Sequence, residues 1–224
     1  MIELIVSIVV IGIAFMSIPL ILTETSKNVE TSFRQEAVMA GLTQVVNIMS
    51  YRWDEQETNE SLNGSYAKIL DTAYTSSLGC INFADGRRRI GNFKGKARRK
   101  CYNTPRWATS PSALGSDSGD LDDIDDLVSS DSVLISGENN NSEDYKRSYS
   151  STITVYYIPD NLDATNYTAS EINGTINTAP VTNMPTSIKM IASTVTSQDG
   201  DTIRLVAFSA NIGEVSYLSR RVAP

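Results

Sequence analysis

From Leu4 to Leu22 the chain reads LIVSIVVIGIAFMSIPLIL, 19 residues without a charge. A helix needs about 20 apolar residues to cross a bilayer core. Ser7 and Ser17 are tolerated in such a helix because their hydroxyls bond back to its backbone. Gly12 and Pro19 are frequent in membrane helices and poor in soluble ones. A secretory signal peptide has a basic start and a small-residue cleavage site, whereas Met1-Ile2-Glu3 opens with an acid. A simple single-pass anchor leaves Glu3 unexplained, because an acid at the lip of a membrane segment costs free energy unless it is paired.

A helical pattern continues after the run. Val29, Phe33, Ala37, Gly41, Val45 and Ile48 recur at spacings of 4, 4, 4, 4 and 3, which sets one stripe along one face. Lys27, Glu30, Arg34, Gln35, Glu36 and Gln44 fill the rest. One helix is therefore expected to run to about Glu57, with a membrane half over 1–22 and an amphipathic half over 23–57. Residues 58–224 are expected to form an outer domain that covers the stripe.

Ile2-Glu3-Leu4, the aliphatic run, Gly12-Ile13 and Pro19 resemble the N-terminal segment of type IV pilins and type II secretion pseudopilins. The likeness covers about a tenth of the chain. It implies a prepilin-type cleavage and methylation segment and a filament of subunits. The apolar helices would pack in the filament's centre, with Glu3 pairing with the free N-terminal amine of a neighbouring subunit. A carboxylate in a dry helix bundle needs such a cation. In that family the glutamate sits two positions deeper and the proline one residue further from the glycine. We therefore expect two residues and a leader to precede Met1. The resemblance implies an α+β fold, a long N-terminal helix packed on a C-terminal antiparallel sheet. It further implies residence in the bacterial inner membrane, then an extracellular or periplasmic filament with copies of itself or other pilins as partners. A pilus subunit and a minor pseudopilin of a secretion system both fit.

Cys80 and Cys101 are the two cysteines. In an exported chain an even count argues for a disulfide, worth roughly 3 kcal/mol for a loop of this size; in a cytosolic chain they would be two free buried thiols. Between them lie Arg87, Arg88, Arg89, Lys94, Lys96, Arg98, Arg99 and Lys100, eight of the 19 basic residues, opposed by Asp85 alone. Such a patch suits an acidic neighbouring subunit, a surface or DNA, and Phe83, Phe93, Tyr102 and Trp107 supply rings for stacking. The plainer reading is a loop that balances the acidic segment, and it or a subunit contact is preferred over DNA. That acidic segment holds Asp117, Asp120, Asp122, Asp123, Asp125 and Asp126. Six carboxylates in ten residues repel unless a cation or a basic loop neutralises them. Calcium suits oxygen-only ligands, although the spacing is not that of an EF-hand. No other cofactor is called for.

Ser151–Ile158, Ile188–Thr196 and Thr202–Ser209 read as strands by their β-branched and aromatic content, with Asp199-Gly200 a hairpin signal between the last two. Ile203, Leu205 and Ala207 alternate with Arg204, Val206 and Phe208, which implies one better-buried face. A short helix near Tyr66–Tyr74, a surface loop over 159–186 and a last strand over Val215–Leu218 are also expected. Sequons occur at Asn59, Asn63, Asn140, Asn166 and Asn173. Those at Asn59, Asn140 and Asn173 carry an acid two residues earlier, which resembles bacterial N-glycosylation acceptors; the plainer reading is that Asn, Ser and Thr are abundant here. The chain has no histidine, which excludes Ser-His-Asp and Cys-His catalysis. No nucleophile–base pair or phosphate loop is present, so an enzyme is not expected.

Overall fold

The computed structural model describes residues 2–57, 66–72, 79–89, 92, 99–115, 121–134, 147–160 and 177–214. Helix α1 spans Ile2–Met49, 48 residues and so about 72 Å. Pro19 lies inside it, and the Thr23 hydroxyl donates to the Pro19 carbonyl. Ser7 and Ser17 donate to the carbonyls of Glu3 and Ala14, at 2.8 and 2.9 Å. This helix is long and apolar enough to cross a membrane.

The main sheet is antiparallel, in the order β3 (Ser129–Leu134), β4 (Tyr149–Ile158), β5 (Ile188–Ser197), β6 (Thr202–Ala210). The β5–β6 hairpin turns at Gly200, whose φ of 88° is costly for any residue with a Cβ. The fold is α+β, with α1 laid on one face of this sheet. Tyr149, Ser151, Ile153, Val155 and Tyr157 of β4 alternate with more exposed residues and share that face with Lys189, Ile191, Ser193 and Val195 of β5. On β6 the half-buried Ile203, Leu205 and Ala207 alternate with exposed Arg204, Val206 and Phe208, as the sequence pattern implies.

Docking uses the closeness that a glycine allows. A Cβ on Gly41 would lie 2.9 Å from Leu205 Cδ1 and 3.2 Å from Val195 Cγ2. Ala37, Ala40, Val45 and Ile48 are buried around it. Gln44 Oε1 accepts from the Ser151 and Ser193 hydroxyls, and the Tyr149 hydroxyl donates to Glu36 at 2.9 Å. Burial, followed by the Glu36 carboxylate, pushes that phenol up to about 12, so it stays a donor across the physiological range.

Three segments differ from the sequence reading. The helix ends at Met49 rather than near Glu57. The amides of Ser50 and Tyr51 bond to Asn47 and Ile48, and the chain then turns so that Trp53 enters the core against Tyr157 (centroids 6.1 Å apart). Packing of this one large ring overrides the helical pattern; Glu55–Glu57 forms a separate 3-10 turn. Tyr66–Thr72 is extended rather than helical, because the Ile69 and Asp71 amides bond the carbonyls of Lys100 and Arg106. Asn211, wholly buried, fixes the same segment by a two-way bond to Leu70. The 159–186 loop is exposed over residues 177–180, as expected, but its ends are not at the surface: Asp160 and Thr186 are buried, and Asp160 accepts from the Ser187 amide at 2.7 Å. The strand expected over Val215–Leu218 lies outside the described residues.

Candidate functional site

Two features stand out, an uncovered helix face and a buried charge cluster. Every residue from Ile2 to Ser32 is exposed, so the domain covers none of the apolar run. Glu3, Gly12 and Pro19 all lie on this bare section, and a Cβ on Gly12 would meet nothing within 4 Å. Farther along, where α1 docks, it carries a second apolar stripe that faces away from the sheet. Val38, Met39, Leu42, Val46 and Met49 are exposed, Met39 and Val46 at 59% each. At 100° per residue this stripe is centred about 130° from the buried one. Of the stripe that the sequence predicts, Ala37, Gly41, Val45 and Ile48 are buried, Phe33 is half-buried and Val29 is exposed, and the opposite face is apolar where a polar one is expected. The missed signal was the 4, 4, 3 spacing of Val38, Leu42, Val46 and Met49.

The charge cluster lies under the sheet's helix-facing side. Lys189 has no exposed surface. Its Nζ donates to the Trp53 carbonyl at 2.8 Å, to Asp54 Oδ2 at 3.2 Å and to Asp125 Oδ1. The Trp53 and Tyr157 rings flank it at 4.7 and 5.5 Å. Burial alone would lower the lysine's affinity for its proton, but Asp54, Asp125 and Asp123 together outweigh it and raise that affinity. Asp123, Asp125, Asp126 and Glu57 are buried too. One ammonium cannot neutralise them all. Burial, then repulsion from Asp125, pushes Asp123 up to about 7. Burial likewise pushes Glu57 up to about 7. The Tyr157 phenol, buried and beside Asp54, is also raised.

These carboxylates are used by the loop's own backbone. Asp126 accepts from the Asp122 and Asp123 amides, Asp123 from those of Asp125, Asp126 and Glu55, and Asp125 from Gly115. Within the acidic segment Asp125 thus meets a lysine 64 residues away, a partner that spacing along the chain could not indicate. Asp122 pairs with Arg52 at 3.7 Å. Among the described residues no group of three His, Cys, Asp or Glu side chains could hold a metal ion; Asp117 and Asp120 lie outside them.

Cys80 and Cys101 form a disulfide. It ties β1 (Cys80–Phe83) and β2 (Gly86–Arg89) to the segment beside Ile69. The three arginines of β2 turn into the domain. Arg87 grips Asp71 with both guanidinium nitrogens, at 3.0 and 2.6 Å. Arg88 is buried and stacks on Phe83 at 3.6 Å, and Arg89 donates to Ser187. These residues hold the domain together and do not form an open basic face. Arg99 and Lys100 are half-buried, while Lys94, Lys96 and Arg98 lie outside the described residues, as do all five sequons at Asn59, Asn63, Asn140, Asn166 and Asn173.

Fold and site together define a class: an α+β domain whose helix continues unbroken into an uncovered apolar segment. Comparison with protein-family models, with curated proteins and with solved structures finds no match for the chain.

Proposed function

We propose that the chain is a structural, non-catalytic subunit of a type IV pilus or a pilus-like filament, held in the bacterial inner membrane before assembly and joined to other subunits through α1. The second apolar stripe carries this reading. A membrane anchor accounts for the exposed run over residues 4–22, since lipid covers it. It does not account for Val38, Met39, Leu42, Val46 and Met49, which lie beyond the length a bilayer can cover and remain bare on the domain. A contiguous apolar face of this kind marks a contact with protein. Neighbouring helices of other copies would cover both stretches at once, and Gly12 would allow close backbone approach. Glu3, at the start of the run, then has a cation to meet in a neighbour's terminal amine.

Glu3→Ala is expected to abolish surface filaments while leaving the amount of membrane-inserted subunit unchanged, counted by electron microscopy and by immunoblot of membranes. Wild-type filament numbers in that variant would remove the reading.

A further inference from the structure

We propose that Lys189 and Asp125 react with each other to form an amide cross-link inside the domain. The geometry assembles every group that such a step requires. Nζ of Lys189 touches Oδ1 of Asp125, so the carboxyl carbon lies one bond beyond the contact. Both side chains are buried, Lys189 wholly and Asp125 to within 4%. So little exposed surface keeps most water from the pair, and water would favour the separated ions. Reacting groups held in contact by a folded scaffold have effective concentrations far above any achievable in solution.

The neighbours divide the remaining roles. Asp54 Oδ2 accepts a hydrogen bond from the same Nζ at 3.2 Å and is placed to take its proton. Its side chain is fixed as an acceptor by the Gln56 amide, the Thr109 amide and the Thr109 hydroxyl. The Gly115 amide donates to Asp125 Oδ2, the oxygen on which charge would develop. The ammonium passes a proton to Asp54, and the freed amine attacks the Asp125 carboxyl carbon. The N–C bond forms, the C–Oδ1 bond breaks, and Oδ1 leaves as water carrying two of the three protons that Nζ began with. Asp54 returns the proton it borrowed, and no oxidant or reductant is needed. Asp123 and Glu57, whose carboxyls are pushed up to about 7, keep further protons within the cluster. The amine is scarce while the ammonium is favoured, but each chain reacts once, so a slow step suffices. The product removes one buried positive and one buried negative charge. Its amide N–H keeps Asp54 or the Trp53 carbonyl as acceptor, and its oxygen keeps Gly115 as donor.

The test is tryptic mapping of the full chain, produced without glycosylation machinery, extracted in detergent and reduced. Cross-linking blocks cleavage after Lys189. The expected species joins Ser148–Arg204 to Trp107–Lys146 and weighs one water less than their sum, and free Met190–Arg204 disappears. Lys189→Arg, which keeps the cation but cannot form the amide, restores cleavage after position 189, so Trp107–Lys146 and Met190–Arg204 are recovered free and the peptide that begins at Ser148 differs only by the mass of the substitution. In Asp54→Asn the linked fraction falls at least tenfold. Full recovery of free Met190–Arg204 from the wild-type chain overturns the proposal, as does a link from Lys189 to any residue other than Asp125.

Discussion

Lys189 and the acids around it set how the domain responds to substitution and to pH. Replacing Lys189 by Met removes the cation beside Asp54 and Asp125, and with it the proposed amide, and is expected to cost at least about 3–5 kcal/mol, the loss seen when one partner of a buried pair is removed. Denaturant unfolding in detergent measures it. Glu57 and Asp123 both contribute to the pH dependence, and Glu57 shows the sign. Its carboxyl is raised from 4.5 to about 7 by burial, so between these values the folded chain holds a proton that the unfolded chain has released. Stability then falls as pH rises through this window and the full penalty is present above it. Glu57→Gln is expected to flatten that slope and to gain about 1–3 kcal/mol at pH 8, read from melting curves at pH 5 and pH 8. Little of this cluster was legible beforehand. The run of aspartates was plain in the sequence, but the cation that Asp125 meets is a lone lysine in a strand otherwise rich in Ile, Ser and Thr. Only the folded register brings Lys189 across from Tyr157 and onto Asp125.

At the scale of the element, α1 has one stripe buried on its own sheet and a second left exposed, and the two can be separated by mutation. Gly41→Leu forces a side chain into Leu205 and Val195 and is expected to destabilise the domain by about 1–3 kcal/mol, whereas Gly41→Ala meets the movable end of Leu205 and costs little. Val46→Asp, on the outward stripe, is expected to leave domain stability within about 0.5 kcal/mol and yet to abolish filaments. Stability from unfolding curves and filament counts from micrographs should therefore move independently in the two variants. The apolar run, the buried stripe and β4–β6 could be read from the sequence because each follows a local period, 3.6 residues or 2. The helix end at Met49 and the extended Tyr66–Thr72 could not. Both are decided by partners distant in sequence: Tyr157 receives Trp53, and the carbonyls of Lys100 and Arg106 receive the amides of Ile69 and Asp71.

In the molecule as a whole, the disulfide and the Arg87–Asp71 pair stitch the small β1–β2 ribbon to the body of the domain. Replacing both Cys80 and Cys101 by Ser is expected to lower stability by about 3 kcal/mol, measured by denaturant unfolding with and without reductant, while the main sheet's circular dichroism persists. The unbroken course of α1 has a consequence for how the domain stands above a lipid surface. Leu22 closes the apolar run, and Phe33 is the first side chain partly covered by the sheet. The eleven steps between them measure about 16 Å at 1.5 Å per residue. In a bilayer that interval is a stiff pedestal through the headgroup layer, bearing Glu24, Lys27 and Glu30 at the depth of the polar lipid heads. With no slack joint in it, the height of the sheet is set by helix length alone, and a tilt of the buried shaft swings the entire outer body through the same angle.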